Sequence, residues 1–121
     1  MVVVDKRKYL VTARVPIGRF FDVPDDDVYV ELREADIQST LELEKAKSLD
    51  ESSQIEECVG WFRRHLPDLI IGHNLYRTED QPMTSSEVTE LIFDKSQMML
   101  DVWMAYREKV GFIPGRKSKG P

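Results

Sequence analysis

The chain has 121 residues and a formal net charge of −5, and 41% of its residues are hydrophobic, so it fits one folded domain with a real core. The excess of acidic over basic residues disfavours nonspecific binding to nucleic acid or anionic lipid, because the positive charge that neutralises phosphate is missing. No apolar run is long enough for a membrane span or a secretion signal, and one cysteine cannot form a disulfide within the chain, so we expect a soluble, cytoplasmic protein without a membrane or nucleic-acid partner.

The first predicted elements are two strands that form a small antiparallel sheet. Residues 8–15 alternate in polarity, and 28–32 repeat the pattern with β-branched residues. A turn at 24–27 separates them, because proline fixes φ and aspartates bond to the local backbone. The residues predicted to face the core are Tyr9, Val11, Ala13 and Val15 in the first strand, and Val28, Val30 and Leu32 in the second.

Two helices are predicted in the middle of the chain. Asp36 is placed to cap a helix over 37–48, whose apolar side is thin and consists of Ile37, Leu41 and Leu49. Ser53 and Glu56 have the spacing of a capping box that opens the next helix, which runs to Pro67. The apolar stripe of this second helix is Ile55, Val59, Phe62 and Leu66.

Two further predictions concern Trp61 in the second helix and the apolar run that follows this helix. Trp61 lies off the apolar stripe, so we expect this side chain to be partly exposed and to contribute to self-association. The apolar run at 69–72 is too short for a helix and too apolar for an exposed loop, so it should lie in the core.

The strongest helical signal covers residues 83–111. Thr84 and Glu87 form a capping box, apolar residues recur three or four apart, and Gly111 is a suitable C-terminal residue. A single helix of this length would be roughly 40 Å long, which exceeds the needs of one small domain, so part of its apolar stripe should contact a partner. Residues 1–113 then form the domain, and 114–121 form a flexible basic tail that is dispensable for folding.

Catalytic and metal sites have little support in the sequence. Cys58, His65 and His73 could ligate a metal, but Cys58 and His65 are seven positions apart in a predicted helix, about 10 Å along its axis, which is too far to share one zinc ion. Asp25–Asp27 lacks the glycine and distant glutamate of a calcium loop. We therefore expect no enzyme, no cofactor and no metal, and a small metal-binding protein using Cys58 and His65 remains the less favoured alternative.

Methionines and aromatic residues are concentrated in the last predicted helix. Met98, Met99, Met104 and Trp103 could form ordinary helical core or a groove for a partner, since methionine side chains adapt to varied surfaces. The residues predicted to bind a partner are Met99, Trp103, Tyr106 and Trp61. The predicted fold class is α+β, with a small N-terminal antiparallel β-sheet followed by about three α-helices, the last one long.

The order of these segments resembles that of the tail assembly chaperones of long-tailed phages and prophages. The resemblance spans most of the chain and rests on patterns of fold, not on a catalytic motif. It is carried by Phe-Asp-Val-Pro at 21–24, Val-Tyr-Val-Glu-Leu-Arg-Glu-Ala-Asp at 28–36, Leu-Pro-Asp-Leu-Ile-Ile-Gly-His-Asn-Leu-Tyr at 66–76, Met-Thr-Ser-Ser-Glu-Val-Thr-Glu-Leu-Ile at 83–92, and the basic tail beyond Tyr106.

The resemblance implies a non-enzymatic protein of the bacterial host cytosol. Such a chaperone coats the tape measure protein, keeps its long apolar helices soluble, and leaves when the tail tube protein polymerises along it. The family often has a short form and a frameshifted longer form, and this chain would be the short one. The alternative is another structural or adaptor component of a phage tail, such as a tail completion protein.

Overall fold

The computed structural model describes residues 1–110, so the predicted tail at 114–121 and the predicted helix end at Gly111 lie outside the described residues. The described chain forms a three-stranded antiparallel sheet, a separate two-stranded sheet, and five α-helices that are interspersed with the strands along the chain. The predicted α+β fold class is therefore confirmed. The helices are α1 (Lys6–Tyr9), α2 (Ile37–Glu44), α3 (Glu51–Leu69), α4 (Ser85–Phe93) and α5 (Ser96–Lys109). The strands are β1 (Thr12–Pro16), β2 (Tyr29–Arg33), β3 (Ile70–His73), β4 (Tyr76–Thr78) and β5 (Gln81–Pro82).

The main sheet has the order β1-β2-β3, and both pairings are antiparallel. Alternation along the strands turns Ala13 and Val15 of β1, with Val30 and Leu32 of β2, into the core. The predicted strand over 8–15 begins too early. The carbonyl of Asp5 accepts hydrogen bonds from the Lys8 and Tyr9 amides and closes a helical turn. Tyr9 and Val11 therefore precede β1 and are 60% and 49% exposed, against the prediction that they face the core.

The third strand comes from the apolar run that was predicted to lie in the core. Leu69 and Ile70 are buried as predicted, whereas Ile71 and Gly72 are half-buried. Ile70–His73 pairs with β2 through a bulge between Glu31 and Leu32. The Asn74 side chain fixes the end of this pairing, because its Oδ1 accepts from the Tyr29 amide at 3.0 Å. The β4–β5 hairpin that follows was not predicted from the sequence.

Helix α2 begins at the predicted cap, since Asp36 Oδ1 accepts from the Ser39 amide at 2.7 Å. This bond is the first cause of the lowered pKa of Asp36. The buried side of the helix is not the predicted one: Thr40, Leu43 and Ala46 are buried, whereas Ile37, Leu41 and Leu49 are 65%, 42% and 40% exposed. The predicted stripe was thin, and packing against α3 selects the neighbouring face instead.

Helix α3 is longer than predicted at both ends. Its N-cap is Asp50, whose Oδ1 accepts from the Ser53 amide at 2.8 Å, so Ser53 lies inside the helix instead of capping it. The helix continues past Pro67 to Leu69, and the Ile70 amide still donates to the Leu66 carbonyl. Of the predicted apolar stripe, Phe62 and Leu66 are buried, whereas Ile55 is 61% exposed.

The predicted single helix over 83–111 is two helices. The capping box at its start is confirmed: Thr84 Oγ1 accepts from the Glu87 amide, and Glu87 Oε1 accepts from the Thr84 amide at 2.9 Å. Lys95, with φ −127° and ψ 111°, is extended and separates α4 from α5. The break allows α4 to pack on α3 while α5 packs against β1. Within residues 1–110, no helix has the length and apolar character needed to cross a membrane.

Candidate functional site

The predicted partner-binding residues converge on one cluster of rings at the junction of α3, α4 and α5. This aromatic cluster consists of Trp61 and Phe62 from α3, Phe93 from α4, and Trp103 and Tyr106 from α5. The Trp103 ring centroid lies 6.1 Å from that of Trp61, 4.9 Å from that of Phe62 and 6.4 Å from that of Tyr106. Tilted and edge contacts at these distances suit the ring quadrupoles, so the cluster is first of all a packing unit.

Trp61 lies inside this cluster, and the prediction that it is partly exposed is wrong. The residue is only 2% exposed, and its Nε1–H donates to the Ser39 carbonyl of α2 at 2.7 Å. The His65 ring stacks against it with a centroid distance of 4.8 Å. The physical reason is that α3 is covered on more than one side, by α2 as well as by α4, so a residue off one apolar stripe is still buried. A self-association surface cannot use this side chain as it stands.

Tyr106 is also held inside the protein, with 3% of its surface exposed. Burial raises the pKa of its phenol to about 12, although a backbone hydrogen bond from Ala35 acts in the opposite direction. The neutral phenol is therefore the form that the fold accommodates. Together with Trp61, Tyr106 belongs to the core rather than to an accessible surface.

Replacing Tyr106 by Phe should change how stability depends on alkaline pH. The pKa of this phenol is 10.0 in its ordinary state and about 12 in the fold. The stability that comes from burying the neutral phenol is therefore fully present below pH 10 and is lost as pH rises from 10 to 12. Two pKa units correspond to about 2.7 kcal/mol of lost stability. We expect denaturant unfolding at several pH values to show a smaller alkaline loss for Tyr106→Phe than for the unmodified chain, while equal losses would contradict the assignment.

The accessible part of α5 lies beside the aromatic cluster. Met99 and Trp103 are half-buried and pack against the core, and the guanidinium of Arg107 lies 5.5 Å from the Trp103 ring centroid. Leu100 and Met104 lie on the side of the helix that faces away from the core, and they are 45% and 64% exposed. Because these two residues are four apart, their side chains are neighbours on one helical face. We call this pair, with the adjoining edges of Met99 and Trp103, the α5 outer face.

The α5 outer face differs from the predicted partner site in its membership. The structure joins Trp61, Trp103 and Tyr106 through ring contacts and packs Met99 against the same core, but it leaves only Met99 and Trp103 partly at the surface. Leu100 was not identified as a candidate from the sequence, although its spacing from Met104 was visible there. The concentration of methionines in the sequence, which includes Met104, was the signal that pointed to this helix.

The metal-binding alternative gains no geometric support. His65 Nε2 lies 3.0 Å from Glu42 Oε2, and His73 Nδ1 accepts from the Leu75 amide. Desolvation by partial burial raises the pKa of the Cys58 thiol, so the thiolate that would bind a metal is disfavoured. Over the described range 1–110, no group of three or more His, Cys, Asp or Glu side chains is arranged to hold an ion.

The acidic turn at Asp25–Asp27 has a structural role in the fold. All three aspartates are exposed, and Asp25 Oδ1 accepts from the Arg19 amide at 2.9 Å. The Arg19 guanidinium also reaches Asp101 of α5, with Nη2 2.6 Å from Oδ2, which lowers the pKa of Asp101. The turn is thereby tied to α5 through Arg19.

Comparison with known proteins yields no relative. No family model matches the chain, and neither a curated protein nor a solved structure is similar to it at a significant level.

Proposed function

We propose that this chain is a non-enzymatic tail assembly chaperone that binds apolar helical segments of a tape measure protein. The observation that carries the proposal is the α5 outer face, where Leu100 and Met104 lie together at the surface beside Met99 and Trp103. Large apolar side chains that are adjacent on one helix and flexible in shape suit a partner whose apolar helices vary in sequence. The resemblance of segment order to this chaperone family supplies the identity of the partner.

The contrast between the two sides of α5 supports the same proposal. Met98, Val102 and Tyr106 face the core and are 3%, 0% and 3% exposed. These three side chains already anchor the helix to the core. Leu100 and Met104 add little to the core, and an exposed apolar pair contributes more to binding than to the stability of the free chain. A partner that covers this pair would account for two large apolar side chains that folding does not require.

The test is co-expression with a candidate tape measure protein from the same genome, followed by a pull-down. We expect the double variant Leu100→Ser/Met104→Ser to keep the melting temperature within a few degrees of the unmodified chain and to recover at least tenfold less tape measure protein. Tyr76→Ser is the matched control, because Tyr76 is 57% exposed in the β4–β5 hairpin and its loss should leave recovery unchanged. Normal recovery with the double variant would contradict the proposal.

The same experiment separates a chaperone from a structural component of the tail. A chaperone is expected in complexes with the tape measure protein before the tube forms and absent from finished particles. Mass spectrometry of purified particles that finds this chain in stoichiometric amounts would favour the structural alternative.

A further inference from the structure

The main sheet has an open edge at β1. In the described part of the chain, β1 pairs only with β2 and lies at the end of the strand order. Hydrogen bonds from Ile17 to Val28 and from Glu34 to Val11 set the alternation of this antiparallel pair. Odd-numbered residues of β1 therefore bond to β2, whereas the N–H and C=O groups of Thr12 and Arg14 point outward from the edge of the sheet.

The open edge is short, and its end is defined by the sequence. Pro16 has no N–H to offer, and its carbonyl accepts a hydrogen bond from Arg19 Nη1 at 3.2 Å. Natural edge strands are often closed in this way against unwanted pairing. A strand that pairs here must therefore be about three residues long.

A segment of matching length and character precedes α1. Val2, Val3 and Val4 are 86%, 83% and 68% exposed, and Met1 is fully exposed beside them. Three consecutive β-branched residues strongly favour an extended strand, and their exposure leaves several apolar side chains in water. We call residues 1–4 the valine arm.

Charge selects the direction in which the valine arm would pair. Residues 5–8, which follow the arm, carry three basic residues and one acidic residue, and Lys8 is exposed. The acidic turn Asp25–Asp27 lies at the Pro16 end of β1, because the Ile17 amide donates to the Val28 carbonyl at 2.8 Å. A parallel pairing places the chain that follows the arm beside these aspartates, whereas an antiparallel pairing places it at the other end.

Parallel pairing cannot occur within one chain. Two parallel neighbours need a crossover connection of about a dozen residues or more, and residues 5–11 are too few and include the α1 turn. We propose that the valine arm of one copy adds to the open edge of β1 in a second copy, in parallel, so that the chain self-associates by exchange of arms. This interface goes beyond the binding of a tape measure protein and does not use the α5 outer face.

The first test is sedimentation of the purified chain over a range of concentrations. We expect a dimer that Val3→Pro converts to monomer, since proline removes the N–H that a central strand residue must donate. At concentrations low enough for both proteins to be monomeric, the variant should keep the melting temperature of the unmodified chain, because the arm is exposed in the free fold. High salt should also weaken the dimer by screening the charges at the acidic turn. A chain that stays monomeric at every soluble concentration, or a Val3→Pro variant that remains dimeric, would overturn the proposal.

A second test uses two proteins that each carry one cysteine. Cys58→Ser/Val4→Cys is mixed with Cys58→Ser/Arg14→Cys under mild oxidation, and we expect a disulfide-linked heterodimer because the cysteines come from different chains. When the Val3 amide donates to the Thr12 carbonyl in a parallel pair, Val4 lies opposite Arg14 and both side chains are on the same face of the sheet. In the control mixture, Arg14→Cys is replaced by Tyr76→Cys, which is equally accessible but lies in the separate hairpin. Equal or greater cross-linking at Tyr76 would show that the arm does not lie at β1.

Discussion

Trp61→Ala is expected to lower the free energy of unfolding by roughly 3–5 kcal/mol, the usual cost of truncating a large aromatic side chain in a core. The side chain is 2% exposed and contacts rings from α3 and α5, so little can move into the space that it leaves. Its Nε1–H also bonds α3 to the Ser39 carbonyl of α2. We expect chemical denaturation to show a large fall in midpoint, and thermal unfolding to shift by more than about 10 °C.

The control for this substitution is Trp61→Phe. Phenylalanine keeps most of the ring packing but loses the hydrogen bond to Ser39, so the expected cost is about 1–2 kcal/mol. The two variants together separate packing from hydrogen bonding. A Trp61→Ala variant with the midpoint of the unmodified chain would show that Trp61 is not buried in solution.

Gly18→Ala should produce the second large loss, about 3 kcal/mol, by overpacking. A Cβ atom at Gly18 would lie 1.9 Å from the Pro24 carbonyl oxygen and 2.6 Å from its carbon. Both are backbone atoms, so no side-chain rotation can relieve the clash, and the Gly18–Asp27 loop would have to shift. That shift would disturb the bonds of Arg19 to Asp25 and Asp101. Urea unfolding measures the loss.

Gly60→Ala is the matched glycine control, with the opposite expected sign. Gly60 lies inside α3, and the nearest atom to an added Cβ is the flexible Arg64 Nη1 at 3.9 Å. Because alanine is the better helix former, we expect a gain of about 0.5–1 kcal/mol. A destabilisation of similar size in both variants would contradict the assignment of a backbone clash to Gly18.

Two of the three predicted helix caps form, and each of them joins residues that are neighbours in sequence. The Thr84–Glu87 capping box and the Asp36 cap form as predicted, because each needs only residues three apart. The predicted cap of α3 lies three residues too late. Asp50 is three residues before Ser53, and its carboxylate accepts a hydrogen bond from the Ser53 amide. The predicted capping box assigned that amide to the Glu56 side chain instead. Two adequate caps in one segment cannot be ranked from sequence alone.

The candidate site was predicted in its region but not in its exposed residues. Trp103 contacts both Trp61 and Tyr106 as part of one cluster, yet that cluster is mostly internal. The periodicity of an isolated helix describes one buried stripe. It does not report that α3 is covered by α2 and α4, or that α5 turns Leu100 and Met104 away from the core.

The sequence by itself determined the fold class, the core position of Leu69 and Ile70, and the start of α4, since hydrophobic alternation and local caps depend on nearby residues. Only the tertiary structure decided that the last helix breaks at Lys95. Neither glycine nor proline lies there, and the four polar residues 94–97, which interrupt the apolar spacing, do not by themselves distinguish a break from an exposed turn of one helix. One straight rod could not pack on both α3 and β1, so the burial gained by two shorter helices outweighs the helical hydrogen bonds given up between them.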